Sequence, residues 1–315
     1  MGEPFTCELL ALFFVPGGGP SLVRGLLRRF ECDPEDLLTY ASSLLSGLHG
    51  LTAAEGRFLK RLGGDSLSEA MRHADAQLHA AGHLGAEVIT YLDERYPANL
   101  AESEHSPLVL FVRGHIDLSD RDAVAVVGTR QASFEGDRRA RQLARILAES
   151  GITVVSGLAR GIDTAAHEAT IQAGGRTIAV VGCGLDRTYP SENAALADRI
   201  AETGAVVSQF PIGTPPGKRN FPMRNKTMAH LSRATVVIEA GEQSGAKMQA
   251  DFALNHQDPQ RHVFLTRSLV DAQPADGWAS RFIARGARVL AREGDLLSLF
   301  PGKRPPSPQQ LGFGF

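Results

Sequence analysis

The sequence predicts a doubly wound α/β domain preceded by a small helical domain, and two observations carry this prediction. From about residue 83 onward, short apolar β-rich runs alternate with segments of helical spacing, whereas residues 1–82 contain no alternating strand pattern. The predicted strands are apolar throughout, which is typical of parallel strands that helices cover on both faces. These strands are Leu108–Val112, Ala123–Val127, Ile152–Val155, Thr177–Val181, Ala205–Ser208, Thr235–Glu239 and His262–Leu265.

Helical segments separate the successive strands from Ala123 onward. The predicted helices cover residues 135–150, 164–174, 192–203, 223–232 and 246–256. Such a regular alternation builds an open, Rossmann-like parallel sheet with helices on its faces. We therefore predict that residues 83–300 form one α/β domain with this architecture.

The first 82 residues read as short helices. The apolar run Leu9–Val15 is interrupted by Pro16–Pro20, and Thr52 with Glu55 has the spacing of a capping box. Nothing in this segment suggests chemistry, so we interpret it as a structural or interaction domain. At the other end, residues 301–315 are rich in Pro, Gly and Gln and are predicted to be a disordered tail or a linker.

Composition excludes several classes of protein. The 315 residues include 33 Lys and Arg against 35 Asp and Glu, so any site for a polyanion must be a local concentration of charge. Three distant cysteines suit a reducing cytosol, and Leu9–Val15, the longest apolar run near the start, is too short to span a bilayer. No His or Cys spacing suggests a metal ligand set. We expect a cytoplasmic protein with no membrane association, metal or cofactor.

The carboxyl ends of the predicted strands are the expected ligand site, because open parallel sheets bind ligands there. Glycines follow several of these strands, and they permit close approach to a ligand. Cationic side chains collect in the same segments, namely Arg130, Arg160, Lys218, Arg219, Arg224, Lys226 and Lys247. This combination suits phosphate groups.

The segment Ser156–Asp163 is the best local candidate for a phosphate-binding turn. In one interpretation its glycines and Arg160 form a phosphate cradle, and in the other the glycines form only a tight βα turn. Asp163 is predicted to cap the following helix. The segment is neither a Walker A motif nor a GxGxxG fingerprint. A P-loop NTPase or a dinucleotide site is therefore disfavoured.

The strongest charge signal lies between Ser208 and Arg233, a stretch with five cations and neither Asp nor Glu. Phe210 and Phe221 are interleaved with these cations. Basic groups that follow a backbone, together with aromatic rings that stack on bases, are typical of single-stranded nucleic-acid grooves. The alternative is a solvated loop that its Phe residues anchor to the core.

No catalytic constellation is evident. His167 lies one turn into a predicted helix and is interpreted as a packed or capping residue. Glu239 is interpreted as a structural ion-pair partner, and Cys183 has no basic residue beside it in sequence. We therefore expect a protein that is not an enzyme.

Several motifs together resemble the DNA-processing protein A family, also called DprA or Smf. They occur in the family's order over about residues 85–265, and the helical N-terminal segment also resembles the family's sterile-alpha-motif-like or helix-hairpin-helix domain. The matching segments are Val126–Arg130, Ser156–Asp163 with Ala166 and His167, Tyr189–Pro190, Asn220–Lys226, and Glu239–Ala240 with Ser244–Gly245.

The resemblance implies a non-enzymatic protein that binds and protects single-stranded DNA and helps to load the RecA recombinase in natural transformation and recombination. It also implies a homodimer. Carried over by motif, the DNA contacts are Arg130, Gly157, Arg160, Gly161, Arg176, Lys218, Arg219, Asn220, Arg224, Asn225 and Lys226. The cationic edge itself adds Phe221, Gly245 and Lys247 as candidates.

Two other functions compete with this hypothesis. A nucleotide-metabolising enzyme of the lysine-decarboxylase-like phosphoribohydrolase group shares a Rossmann-type core but carries a PGGxGTxxE motif, which Glu239–Gly245 does not reproduce. A pure protein-interaction scaffold suits the helical N-terminus and leaves the clustered cations unexplained.

Overall fold

The computed structural model describes residues 5–47, 50–63, 65–104, 106–255 and 261–303. The chain divides into two compact units. The first extends to Tyr96 and includes residues 104–111, and the second comprises Pro97–Ser103 and the chain from Val112 onward. In the predicted tail, residues 304–315 lie outside the described residues, whereas the Lys303 ammonium group donates a 2.7 Å hydrogen bond to the Gly151 carbonyl. Among the described residues, no helix combines the length and apolar character that crossing a bilayer requires.

The first unit is largely helical, as predicted. Its capping box is present, since Thr52 Oγ1 accepts from the Glu55 N–H at 3.2 Å and Glu55 Oε2 accepts from the Thr52 N–H at 2.7 Å. Pro20 and Pro34 begin helices, where the missing N–H costs nothing. The elements are α1 (Thr6–Phe14), α2 (Pro20–Phe30), α3 (Pro34–Gly47), α4 (Ala53–Arg61), α5 (Asp65–His83) and the strand β1 (Ala86–Thr90).

The second unit is built on a parallel sheet. Its strands, after β2 (Val109–Gly114), which begins in the first unit, are β3 (Ala123–Val127), β4 (Thr153–Ser156), β5 (Thr177–Val181), β6 (Ala205–Ser208), β7 (Ala234–Val237), β8 (His262–Thr266) and β9 (Arg288–Leu290). From β6 to β9 the order is β6-β5-β4-β3-β7-β8-β9, and every pair is parallel. The chain leaves β3 toward β4 and later returns to its other side as β7, so the order reverses between β3 and β7.

Helices connect these strands and cover the sheet. They are α6 (Ala98–Ala101), α7 (Phe134–Glu149), α8 (Ile162–Gln172), α9 (Ala194–Thr203), α10 (Asn220–Leu231), α11 (Gly245–Ala253), α12 (Arg267–Asp271), α13 (Trp278–Ala284) and α14 (Glu293–Leu297). One apolar core joins Val124 and Val126 of β3 to Leu143 and Leu147 of α7 and to Ala165 of α8. The doubly wound α/β fold is thus confirmed.

The differences from the predicted elements have local causes. Helix α10 begins at Asn220 rather than near residue 223, because Pro222 is tolerated within the first helical turn. Strand β9 was not predicted, since it has three residues and only Leu290 is buried. The predicted strand Thr235–Glu239 ends at Val237, which leaves Glu239 in the connecting segment.

Candidate nucleic-acid interface

The glycine-rich turn after β4 is held by its own side chains. Asp163 Oδ2 accepts from the backbone N–H groups of Gly157 and Ala159 at 3.2 and 3.4 Å. These two amides are therefore occupied, which favours the tight-turn interpretation over the phosphate cradle for this part of the turn. The predicted capping role of Asp163 is wrong, because the N-cap of α8 is Gly161 and Asp163 lies inside the helix.

Gly161 is required by the backbone of this turn. Its φ of +72° is a conformation that other residues rarely adopt, and a Cβ there would lie 2.5 Å from the Thr129 carbonyl oxygen. The turn after β4 and the segment after β3 are thereby brought into direct contact. Burial raises the pKa of the Asp163 carboxyl, while the Arg224 charge and the two amide donors oppose that shift.

Arg224 is the buried cation of the site. It is 5% exposed, and its guanidinium lies over Gly157, where a Cβ would be 1.3 Å from Arg224 Nη1. Burial lowers the pKa of Arg224, and the neighbouring Asp163 charge raises it. Among the described residues, the Nε–H of Arg224 has no hydrogen-bond acceptor. A charged donor has thus been taken out of water with incomplete compensation, an arrangement that an anionic ligand would relieve.

A cleft of about 770 Å³ opens beside Arg224 at the carboxyl ends of β3 and β7, where the order of the sheet reverses. This is the position at which doubly wound sheets bind ligands. Its walls come from the segments after β3, β4 and β7 and from α10 and α11. Of the predicted site residues, Arg130, Arg160, Phe221, Arg224, Asn225 and Gly245 line the cleft.

Phe221 lies between cations in this cleft. The guanidinium carbon of Arg130 is 5.5 Å from the ring centroid and that of Arg224 is 5.9 Å away, while the half-exposed Tyr189 ring is at 5.8 Å. The Phe221 ring contacts the backbone at Gly182, since a Cβ there would be 3.0 Å from it. The cleft therefore offers an aromatic surface with positive charge beside it.

Two asparagines of α10 position the neighbouring loops. Asn220 Nδ2 donates to the carbonyls of Gly182 and Pro215, both at 3.1 Å. Asn225 Nδ2 donates to the Gly245 carbonyl at 3.1 Å. Their side-chain amides thus tie α10 to the segments after β5 and β7, which is a positioning role in this structure.

The remaining predicted cations differ in their surroundings. Lys218 and Arg219 are exposed directly before α10 and Lys226 is half-buried on it; like Arg130, none of them forms an ion pair with a described residue. Arg160 binds Glu192 through two hydrogen bonds of 2.5 and 2.8 Å, and Lys247 lies 2.5 Å from a Glu242 oxygen. These two cations are already neutralised.

Arg176 does not join the others. It lies at the amino end of β5, at the opposite edge of the sheet, and binds both Asp120 carboxylate oxygens at 2.7 and 2.8 Å. It also donates to the His115 and Thr203 carbonyls. The structure assigns Arg176 to internal support rather than to the cleft.

The candidate catalytic groups are structural. The Thr177 hydroxyl donates to the Val154 carbonyl, so His167 Nδ1 donates to Thr177 Oγ1 at 2.7 Å; burial lowers the pKa of His167 to about 3. Burial raises the pKa of Cys183 to about 11. The packed role predicted for His167 is confirmed. Glu239 does not form the predicted ion pair with any described residue, and its Oε2 instead accepts from the N–H and hydroxyl of Ser133 at 3.1 and 3.0 Å.

Two residues of this edge were missed in the sequence. Gln249 is 1% exposed, lines the cleft and has an Nε2 group without a partner among the described residues, and nothing in its helical context distinguishes it. Phe134 begins α7 and is 82% exposed. Its aromatic side chain and its position four residues after Arg130 could have identified Phe134 as a candidate in the sequence.

The fold and the cleft together define the class of protein. It is a doubly wound α/β protein with a cationic, aromatic-lined cleft at the switch point, the place between β3 and β7 where the strand order reverses. The sequence model of the family described as DNA recombination-mediator protein A matches residues 87–301. The chain belongs to this family, which confirms the resemblance noted in the sequence.

Named relatives agree with this assignment. Protein Smf of Synechocystis is 40% identical over 216 residues, which are 67% of this chain and 53% of that protein. DNA processing protein DprA of Streptococcus pneumoniae is 40% identical over 210 residues, which are 66% of this chain and 72% of that protein. The chain thus spans about half the length of the Smf relative.

Solved structures extend the similarity beyond the matched motifs. The X-ray structure of DprA from Streptococcus pneumoniae superimposes with a TM-score of 0.72 and 29% identity, covering 95% of this chain and 98% of that one. A Helicobacter pylori DprA structure, described for its unique single-stranded DNA binding mode, has a TM-score of 0.59 and 25% identity. It covers 70% of this chain and 99% of that one.

Proposed function

We propose that this protein binds single-stranded DNA in the cleft at the switch point and that it does so as a non-enzymatic DNA processing protein of the cytoplasm. The observation that carries the proposal is the placement of two guanidinium groups, those of Arg130 and Arg224, beside the Phe221 ring in the cleft. Further cations come from the same segment of the chain and form no ion pair with a described residue, namely Lys218, Arg219 and Lys226. The DNA binding described for the Helicobacter pylori structure supports the same ligand.

Each part of the site has a role in this proposal. The cations neutralise successive phosphates and release their counterions, which supplies most of the sequence-independent affinity. Phe221 stacks on one base, a contact worth about 1–3 kcal/mol that every base can make. Gly157 and Gly161 shape the turn that supports Arg224, and Asn220, Asn225 and Gly245 hold the loops that surround it.

We extend the proposal to the finer role that the resemblance implies. A recombination mediator protects incoming single-stranded DNA and helps to load RecA onto it during natural transformation, and it acts as a homodimer. The description of the family as a recombination mediator and of the relative as a DNA processing protein supports a mediator role on DNA. Faster RecA assembly on coated single-stranded DNA in the presence of the protein is the expected result, and sedimentation would give a mass of twice 33.7 kDa.

The salt dependence of binding tests the central proposal. Five phosphate contacts at about −0.7 each predict a slope of log affinity against log salt of about −3.5 for a fluorescent oligo-dT. Arg130→Glu should weaken binding and flatten this slope. Arg145→Glu is the matched control, because Arg145 is exposed and paired with Glu149 near the far end of α7. Absent or salt-independent binding to oligo-dT would refute the proposal.

A further inference from the structure

A second cleft of about 410 Å³ adjoins the DNA-binding cleft. The two share Thr129 and Gly241 in their walls, so these residues form the boundary between them. Beyond this boundary the second cleft is lined by Ser133, Glu239 and Arg139, and by residues from α12 that include Ser268. A strand of DNA in the first cleft therefore has a neighbouring cavity within reach of its next nucleotide.

A fixed carboxylate marks the second cleft. Glu239 Oε2 accepts both hydrogen bonds from Ser133, and Ser133 Oγ in turn accepts from the Gly136 N–H at 3.0 Å. A Cβ on Gly136 would lie 2.1 Å from Glu239 Oε2, so the first turn of α7 lies directly against the carboxylate. Oε1 takes no hydrogen bond from any described residue. The site thus presents one oriented acceptor.

A cation accompanies this acceptor. Arg139 lines the same cleft, its Nη2 is 3.7 Å from Glu135, and its buried Nε–H has no acceptor among the described residues. The second cleft therefore combines one acceptor with the several donors of a guanidinium group. Phosphate is disfavoured here, because the Glu239 carboxylate repels it.

The bases differ in how well their hydrogen-bonding groups complement the Glu239 acceptor and the Arg139 donors. Along its Watson–Crick edge, cytosine presents an amino donor followed by two acceptors, and carboxylates accept from its N4 amino group. Thymine presents a carbonyl oxygen at the position of that amino group, and this oxygen would face Glu239 Oε1 without a hydrogen. Guanine needs two acceptors side by side, whereas Oε2 is already used by Ser133.

We propose that the second cleft is a nucleobase subsite of the DNA-binding surface and that Glu239 makes it favour cytosine over thymine. The proposal rests on the proposed function, since it requires single-stranded DNA in the adjoining cleft. Glu239 accepts from the cytosine amino group, and Arg139 donates to the acceptors of the same base. A hydrogen bond to a charged group gives a preference of about tenfold.

Oligo-dC and oligo-dT of equal length, measured by fluorescence anisotropy with the full chain, test this subsite. Wild-type protein should bind oligo-dC about tenfold more tightly. In Glu239→Gln, the two donors of Ser133 hold the amide oxygen, so the amino group faces the cleft and the preference should invert toward oligo-dT. Glu149→Gln removes the same charge at the far end of α7 and should leave the ratio unchanged.

A second variant guards against a misfolded Glu239→Gln protein. Ser268→Phe fills the second cleft from its other wall and should abolish the preference while Glu239 remains in place. The subsite proposal would be overturned if the wild-type protein bound oligo-dC and oligo-dT equally, or if its preference persisted in both variants. The proposed function would still stand in that case, provided that oligo-dT binding depends on salt. If the wild-type protein bound neither oligonucleotide, the proposed function would be overturned as well.

Discussion

The close approach of Arg224 to Gly157 makes Gly157→Ala an informative substitution. The φ of Gly157 is not in the left-handed region, so alanine can adopt its backbone conformation. The new methyl group would nevertheless lie 1.3 Å from Arg224 Nη1 and 2.8 Å from Asp163 Oδ2. The expected effect is therefore steric and is confined to the cation and carboxylate of the cleft.

The size of this effect follows from the overlap. Non-bonded heavy atoms rest about 3.5–4.0 Å apart, so the guanidinium must move by roughly 2 Å and leave its position beside Phe221. Overpacking of this kind costs about 1–3 kcal/mol of unfolding free energy. Loss of one positioned phosphate contact should weaken oligo-dT binding by about tenfold and flatten the salt slope by about 0.7.

Thermal unfolding and salt-dependent anisotropy measure the two consequences. Gly294→Ala is the control, because Gly294 lies on α14, outside the residues that line the cleft, and a Cβ there meets nothing within 4 Å. This control should not lower the melting temperature and should keep the wild-type affinity and salt slope. Wild-type affinity and salt slope in Gly157→Ala would show that the placement of Arg224 over Gly157 does not matter for DNA binding.

Three further predictions concern stacking, charge and pH. Phe221→Ala should weaken oligo-dT binding by about 1–3 kcal/mol without changing the salt slope, and a changed slope would contradict a stacking role. Glu192→Gln frees Arg160 from its ion pair and should steepen the slope by about 0.7, whereas an unchanged slope would place Arg160 outside the DNA path. Burial holds the pKa of His167 near 3 against an ordinary value of 6.5, so the unfolded state binds its proton first as pH falls. Between pH 6.5 and about pH 3, wild-type stability should therefore decrease by about 1.4 kcal/mol per pH unit from this group, and His167→Gln should remove that component of urea-unfolding curves.

The strands and the glycine-rich turns were predictable because their signals are local. A run such as Ala123–Val127 is apolar at every position, which is what a strand covered on both faces requires. The acid-free stretch from Ser208 to Arg233, which contains α10, was equally visible in the composition. These signals were enough to predict the edge of the sheet at which the cleft lies.

Ion-pair partners were not predictable, because they come from distant parts of the chain. Arg160 and Glu192 are separated by 32 positions, and Arg176 and Asp120 by 56, so nothing local distinguishes them from Arg130. The occupied amides of the turn after β4 depend likewise on the orientation of the Asp163 side chain. The motifs predict that all these residues contact DNA, whereas in the structure several of them are occupied by ion pairs or hydrogen bonds within the protein.

The sequence by itself determined the type and order of the elements from β3 to β8, since hydrophobic periodicity and turn residues are local features that extend over a few positions. Only the tertiary structure decided which cations remain unpaired, because charge compensation depends on distance in space. It also placed β7 beside β3, and this single adjacency brings Arg130, Phe221 and Gly245 to one cleft. Pairing between strands that are more than a hundred residues apart depends on the packing of the whole sheet, so no local sequence pattern predicts it.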